Sequence, residues 1–175
     1  MSKAIALLTW IVVFTCSATA CMSTVAQEET SRADAAKTLR CAPKKDKLQG
    51  LQKEWTPFAD FIDVCTLSSA DGSPALSIIT VSALRYYADR PDGAETTSFP
   101  KPLILAPGGK EIGQLPYSYP DDPPFEIELS FSAWHDNRPE QIDILVRDPT
   151  VSGDHRLTPM RWNATTGRYE GGVER

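Results

Sequence analysis

Two histidines, four cysteines and a scatter of carboxylates are the side chains through which this 175-residue chain could perform acid–base, nucleophilic or metal chemistry. Both histidines adjoin an aspartate, as His135-Asp136 and Asp154-His155, and either could serve a hydrolase as its base. No serine sits in a G-x-S-x-G turn, and His–Asp adjacency is common in polar loops, so both pairs are expected to be exposed turn residues. The many acids make any glycosidase-like carboxylate pair arbitrary on spacing alone. Asp121 with Asp122, or Asp89 with Asp92, could offer hard oxygen ligands to calcium, yet neither follows the D-x-[DN]-x-[DN]-G loop. No catalytic or cofactor motif stands out, and neither a cofactor nor a metal is expected.

The aromatic residues read more readily as a binding surface. Tyr86, Tyr87, Tyr117, Tyr119, Trp134 and Trp162 fall at expected strand ends or in Pro-rich loops, where rigid rings anchor protein or sugar partners. Trp134 and Trp162 also suit the two ends of a core. The stretch from 116 to 124, with Tyr117, Tyr119, Asp121 and Asp122 among four prolines, is nominated for partner contact together with Trp134. Prolines restrict such a loop before it docks, so less entropy is lost on binding.

The elements that must position these residues are mostly strands. Residues 125 to 134 alternate Phe125, Ile127, Leu129 and Phe131 with Glu126, Glu128, Ser130 and Ser132, the period of a half-buried antiparallel strand. Asp136 to Pro139 turns the chain, and residues 141 to 148 return with Ile142, Ile144 and Val146 on one face. Residues 156 to 162 and 167 to 170 read as a closing hairpin. Upstream, residues 58 to 65 look strand-like and 74 to 87 read as one long central strand, because the β-branched residues Ile78, Ile79, Thr80 and Val81 favour a pleated surface over a helix. Eight prolines between 91 and 124 exclude long helices there and leave room for a short hairpin over 103 to 115. About seven short strands predict a mainly β domain, a single antiparallel β-sandwich or partly open barrel with Pro-rich loops. A short helical lead-in over residues 31 to 39 is expected to precede it and to stop before Pro43.

One basic residue, Lys3, precedes an apolar run over residues 4 to 14, too short to span a bilayer and suited to a secretory leader. Ser17-Ala18-Thr19-Ala20-Cys21 resembles the lipobox of bacterial lipoproteins, which implies cleavage after residue 20 and acylation of Cys21. Those boxes carry Leu, Val or Ile where this chain has Ala18, so ordinary cleavage after Ala20 or Ala26 is the alternative. On the lipoprotein reading, residues 1–20 are a signal peptide, 21–37 a polar tether and 38–175 the folded domain. Cys16 leaves with the leader and Cys21 takes the lipid, so Cys41 and Cys65 remain as a pair that an oxidising compartment can bridge. Met22 stands where the inner-membrane retention cue of such lipoproteins places Asp, which favours the outer membrane.

The net charge is −5, with 18 basic and 23 acidic residues, and from residue 57 onward acids outnumber bases by eighteen to ten. Nucleic acid is a poor partner for that surface. A cationic protein is a good one. The expected role is therefore binding, most concretely as a periplasmic inhibitor or immunity protein that blocks a toxic or cell-wall-degrading enzyme. An accessory subunit of an envelope assembly is the alternative, and an uncharacterised hydrolase a third. Residues 119 to 162, with strand, turn, strand and a final Arg161-Trp162, also resemble the C-terminal domain of TonB-type energy transducers. That family places a helix before the Trp-bearing strand, which the stretch from Pro149 to Pro159 is too short and too irregular to supply.

Overall fold

The computed structural model describes residues 39–44, 53–88 and 97–173. The leader, Cys21, the tether, the helical lead-in and the Asp89–Asp92 pair lie outside the described residues. Among those described, eleven strands form two antiparallel sheets, giving the β-sandwich that the strand-rich pattern indicated. In the first sheet β1 (Arg40–Pro43), β2 (Ile62–Ser68), β3 (Pro74–Val81), β4 (Leu103–Leu105) and β5 (Glu111–Gln114) lie in sequence order. The second comprises β6 (Asp121–Asp122), β7 (Phe125–His135), β8 (Arg138–Arg147), β9 (His155–Arg156), β10 (Met160–Asn163) and β11 (Arg168–Glu170). Its order is β11-β10-β8-β7-β6, with β9 paired to β8 further along from β10.

The expected alternation holds along β7. Ile127 and Phe131 are buried, Glu126, Glu128 and Ser130 are exposed, and Ile142, Ile144 and Val146 of β8 face the same core. Asp136 and Asn137 join the two strands with φ of 46° and 61°, a two-residue turn whose hand matches the twist of the hairpin. The main core lies between the sheets, where Leu76, Ile78 and Ile104 of the first meet Ile127, Ile142 and Ile144 of the second.

Two sequence expectations are corrected. Residues 53 to 61 form a 3-10 helix (Lys53–Phe61), so the stretch from 58 to 65 is helical for its first half and becomes strand only at Ile62. The run from 74 to 87 is likewise divided: β3 stops at Val81, and a short helix, α1 (Ala83–Ala88), follows. Both helices cover the outer face of the first sheet. Trp55, Phe58 and Tyr86 form a second core there with Ile62, Ile79, Val81 and Leu103. β3 is thus apolar on both faces, as a strand sandwiched between two layers must be. The absence of a polar face hides its end from any reading by periodicity.

The disulfide between Cys41 and Cys65 is present, and the two residues are direct cross-strand partners of β1 and β2. At the opposite side of the sandwich the sheets close on each other. A Cβ on Gly113 of β5 would stand 3.2 Å from the Tyr169 Cβ of β11, so the missing side chain lets the two strands approach. Tyr169 then reaches across the sheet and donates its hydroxyl hydrogen to the carbonyl of Pro139, while burial pushes its phenol well above the ordinary range. With β5 beside β11 and β3 facing β8, the opposite side is bounded by β1 in one sheet and by β6 and β7 in the other.

The chain's last described residues are tied back by two backbone bonds, Gly172 N–H to Thr158 O at 3.0 Å and Thr158 N–H to Val173 O at 3.0 Å. Gly171, at φ 114°, crosses so near this turn that a Cβ would lie 2.5 Å from the carbonyl oxygen of Pro159. Gly171→Ala is therefore expected to destabilise the domain by about 2 kcal/mol through strained backbone and backbone overlap together. Urea unfolding with an unchanged m-value checks this.

Candidate functional site

α1 follows Ser82, whose carbonyl accepts the Tyr86 N–H at 2.9 Å and whose hydroxyl accepts the Arg85 N–H at 3.4 Å. Arg85 fastens the helix to its surroundings. Its guanidinium donates to the carbonyls of Asp60 at 3.1 Å and Ile62 at 3.2 Å, and it pairs with the Asp63 carboxylate. On the buried side, Tyr86 meets Phe58, Phe61, Tyr87 and Phe99 with ring centroids 5.2 to 5.4 Å apart. Edge-to-face packing of this kind orients rings as well as burying them. Leu84 is turned outward and remains 74% exposed, an unusual position for a large aliphatic side chain.

Opposite Leu84 stands the turn between β6 and β7. Asp121 pairs with Glu126 and Asp122 with Phe125, while Pro123 and Pro124, joined by a cis peptide bond, make the turn itself. The approach to it is pinned at three points: Tyr119 N–H to the buried Thr80 hydroxyl oxygen at 3.2 Å, Ser118 N–H to the Asp122 carboxylate at 3.1 Å, and Ile127 N–H to Pro120 O at 2.7 Å. Burial raises the Asp122 carboxyl above its ordinary value, and the Ser118 N–H opposes that shift. Burial, with the nearby Asp121 charge adding to it, raises the Tyr119 phenol.

Between these two walls lies a groove of about 690 Å³. Leu84, Tyr87, Pro124 and Phe125 give it apolar sides, and Asp121 and Glu126 place carboxylates along it. Its walls are held by the bonds just described. The groove suits an apolar side chain carried beside positive charge, because it supplies an apolar contact surface and two acids within one depression.

The nominated residues are not gathered at one place. Asp121 lines the groove, but Tyr117 and Tyr119 are half-buried, packed on the main core behind the turn, with Tyr117 edge-on to Phe125 at 6.1 Å. Asp122 is half-buried and serves the loop. Trp134 belongs to the far end of β7, some nine residues or about 30 Å along the strand from Phe125. There it packs half-buried against the main core, with its indole N–H buried and, among the described residues, without a hydrogen-bond partner. Leu84 and Tyr87 enter the groove only because α1 exists, and the Ser82 cap before six helix-compatible residues is the signal for it.

The histidines are apart from this groove and from each other. His135 is exposed at the β7–β8 turn, 3.2 Å from the Asp136 carboxylate, and His155 lies on β9 opposite Val146. Among the described residues no three metal-ligating side chains cluster, and no helix is long and apolar enough to cross a membrane. Comparison of the chain with protein-family models, with curated proteins and with solved structures finds no match.

Proposed function

We propose that this chain is a binding protein of the bacterial envelope, held at the membrane by a lipid on Cys21 and directed at a cationic protein in the periplasm. Its most concrete form is an inhibitor or immunity protein that blocks a toxic or cell-wall-degrading enzyme. The observation that supports this reading above others is the groove, in which an exposed leucine, six further apolar residues and two carboxylates stand on fixed walls. The charge of the folded part agrees, since acids outnumber bases by eighteen to ten from residue 57 onward. Such a surface repels acidic partners and speeds encounter with basic ones. Walls that are already ordered lose little entropy when a partner docks.

The test uses the full chain, exported with its own leader into an oxidising periplasm and purified as bait for envelope and secreted proteins of the source cell. A basic partner held in stoichiometric amount, with its own enzymatic activity suppressed on binding, is the expected result. Leu84→Asp carries the site assignment, because Leu84 is exposed and its replacement disturbs no core, unlike substitution of Tyr117 or Tyr119. Burying a leucine contributes about 1.5 to 3 kcal/mol, so Leu84→Asp should weaken the partner's binding between roughly tenfold and a hundredfold. A captured partner held equally by this variant overturns the groove assignment, and a partner whose activity is untouched overturns inhibition.

A further inference from the structure

The second sheet is unequally closed at its two sides. β8 is paired along both edges, with β7 on one and with β9 and β10 on the other. β7 is eleven residues long, yet among the described residues its outer edge is paired only where β6 meets Phe125 and Glu126 and where Ile127 N–H reaches Pro120 O. Backbone groups alternate in direction along a strand, so the residues in step with Ile127 also point away from β8. Leu129 and Phe131 therefore present both N–H and C=O to an edge that no described strand occupies, while Glu128, Ser130 and Ser132 bond to β8.

The side chains along this edge agree with a missing neighbour. Leu129 faces inward but is only half-buried, whereas Ile144, its direct partner on β8, is 1% exposed. On the outer face Glu126 and Glu128 flank the same edge, and Arg147 engages Glu128 from the β8 side at 2.9 and 3.1 Å. Natural sheets commonly blunt such edges with lysine, proline or a bulge, and none of these lies between residues 128 and 132.

We propose that the edge of β7 from residue 128 to 132 accepts a strand from a protein partner, an extended segment that alternates apolar with basic residues. The residues opposite Leu129 and Phe131 fall on the same, core-facing side of the sheet and must be apolar. Those beside Glu128 lie on the outer face, where Glu126 is the next outward residue, and are basic by charge complementarity. A second copy of this chain is a poorer occupant, because pairing β7 with itself would bring two sets of these glutamates together. The edge from residue 128 to 132 adjoins the groove at Glu126, and Leu84, on the groove's other wall, distinguishes the two surfaces.

The experiment follows amide hydrogen exchange in the full, oxidised chain at low concentration, alone and with the synthetic peptide Lys-Val-Lys-Val-Lys-Val-Lys. Free protein should exchange the Leu129 and Phe131 amides at least a hundredfold faster than those of Glu128 and Ser130. The peptide should then slow Leu129 and Phe131 at least tenfold, and should do so equally in Leu84→Asp, which separates this edge from the groove. The same peptide N-methylated at every valine keeps its charge but loses the hydrogens that would bond to β7, and should give no protection. Uniformly slow exchange in the free chain overturns the proposal, as does equal protection by the methylated peptide. Protection that rises with protein concentration alone overturns it in favour of a second copy.

Discussion

Replacing Trp55 with alanine is expected to lower the folding free energy by about 3 to 5 kcal/mol, the usual cost of emptying a large aromatic site. Trp55 has no exposed surface and lies in the outer core with Phe58, Ile79, Val81 and Leu103. It anchors the 3-10 helix to the first sheet. Its indole N–H, however, is buried without a hydrogen-bond partner among the described residues, and such an orphan donor costs on the order of 1 to 3 kcal/mol. The two effects oppose each other and can be separated. Trp55→Phe removes the orphan donor while retaining much of the ring, so it should fall within about 1.5 kcal/mol of the parent. Chemical denaturation of all three proteins checks the order, and near equality of the alanine variant with the parent would deny Trp55 its anchoring role. Because the helix covers Ile79 and Leu103, the alanine variant should also bind a hydrophobic dye at denaturant concentrations where the parent does not.

Breaking the Cys41–Cys65 bond should have the next largest effect. The bridge closes a loop of separation 24 between directly paired strands, worth about 3 kcal/mol on the chain-entropy account. Cys41→Ser is the suitable variant, since Cys41 is exposed and Cys65 stays behind as a small buried thiol. For a domain of this size the melting temperature should drop by roughly 10 °C, and reductant should lower the parent to nearly the same value. A parent whose melting temperature ignores reductant would show that the bond contributes little to stability. Exchange of the β1 amides tests the local consequence, because the four residues of β1 are all exposed and, among the described residues, pair with β2 alone.

The sequence was most legible where one face of an element meets water. β7 alternates cleanly because Glu126, Glu128 and Ser130 lie outside while Ile127 and Phe131 lie inside, and β8 answers it with Ile142, Ile144 and Val146. β3 is buried on both faces, Ile78 inward and Ile79 outward, so its residues carry no alternation and the change to helix at Ser82 passed unseen. The 3-10 helix had a signal that competed with strand-like residues: Trp55 and Phe58 stand three apart, with Phe61 next in the series, which is the period of a 3-10 turn. At the groove, Asp121 could be named from loop composition alone. Leu84 and Tyr87 could not, because they reach it only through the unread α1, and Phe125 and Glu126 were accounted for as strand positions. Trp134 shares only residue type with the loop aromatics, and the length of β7 separates it from them.

The placement of the disulfide has a mechanical side. On the proposed reading, the lipid at Cys21 makes the N-terminal segment a leash, and any drag on a bound partner loads the domain through β1. A terminal strand in an antiparallel pair can be unzipped one rung at a time under modest tension. Here the second rung, Cys41 against Cys65, is covalent, and Cys65 is rooted in the main core. Pulling therefore passes from the first strand directly into β2 and the packed interior, and the domain resists as a block where an unbridged one would fray from its leash.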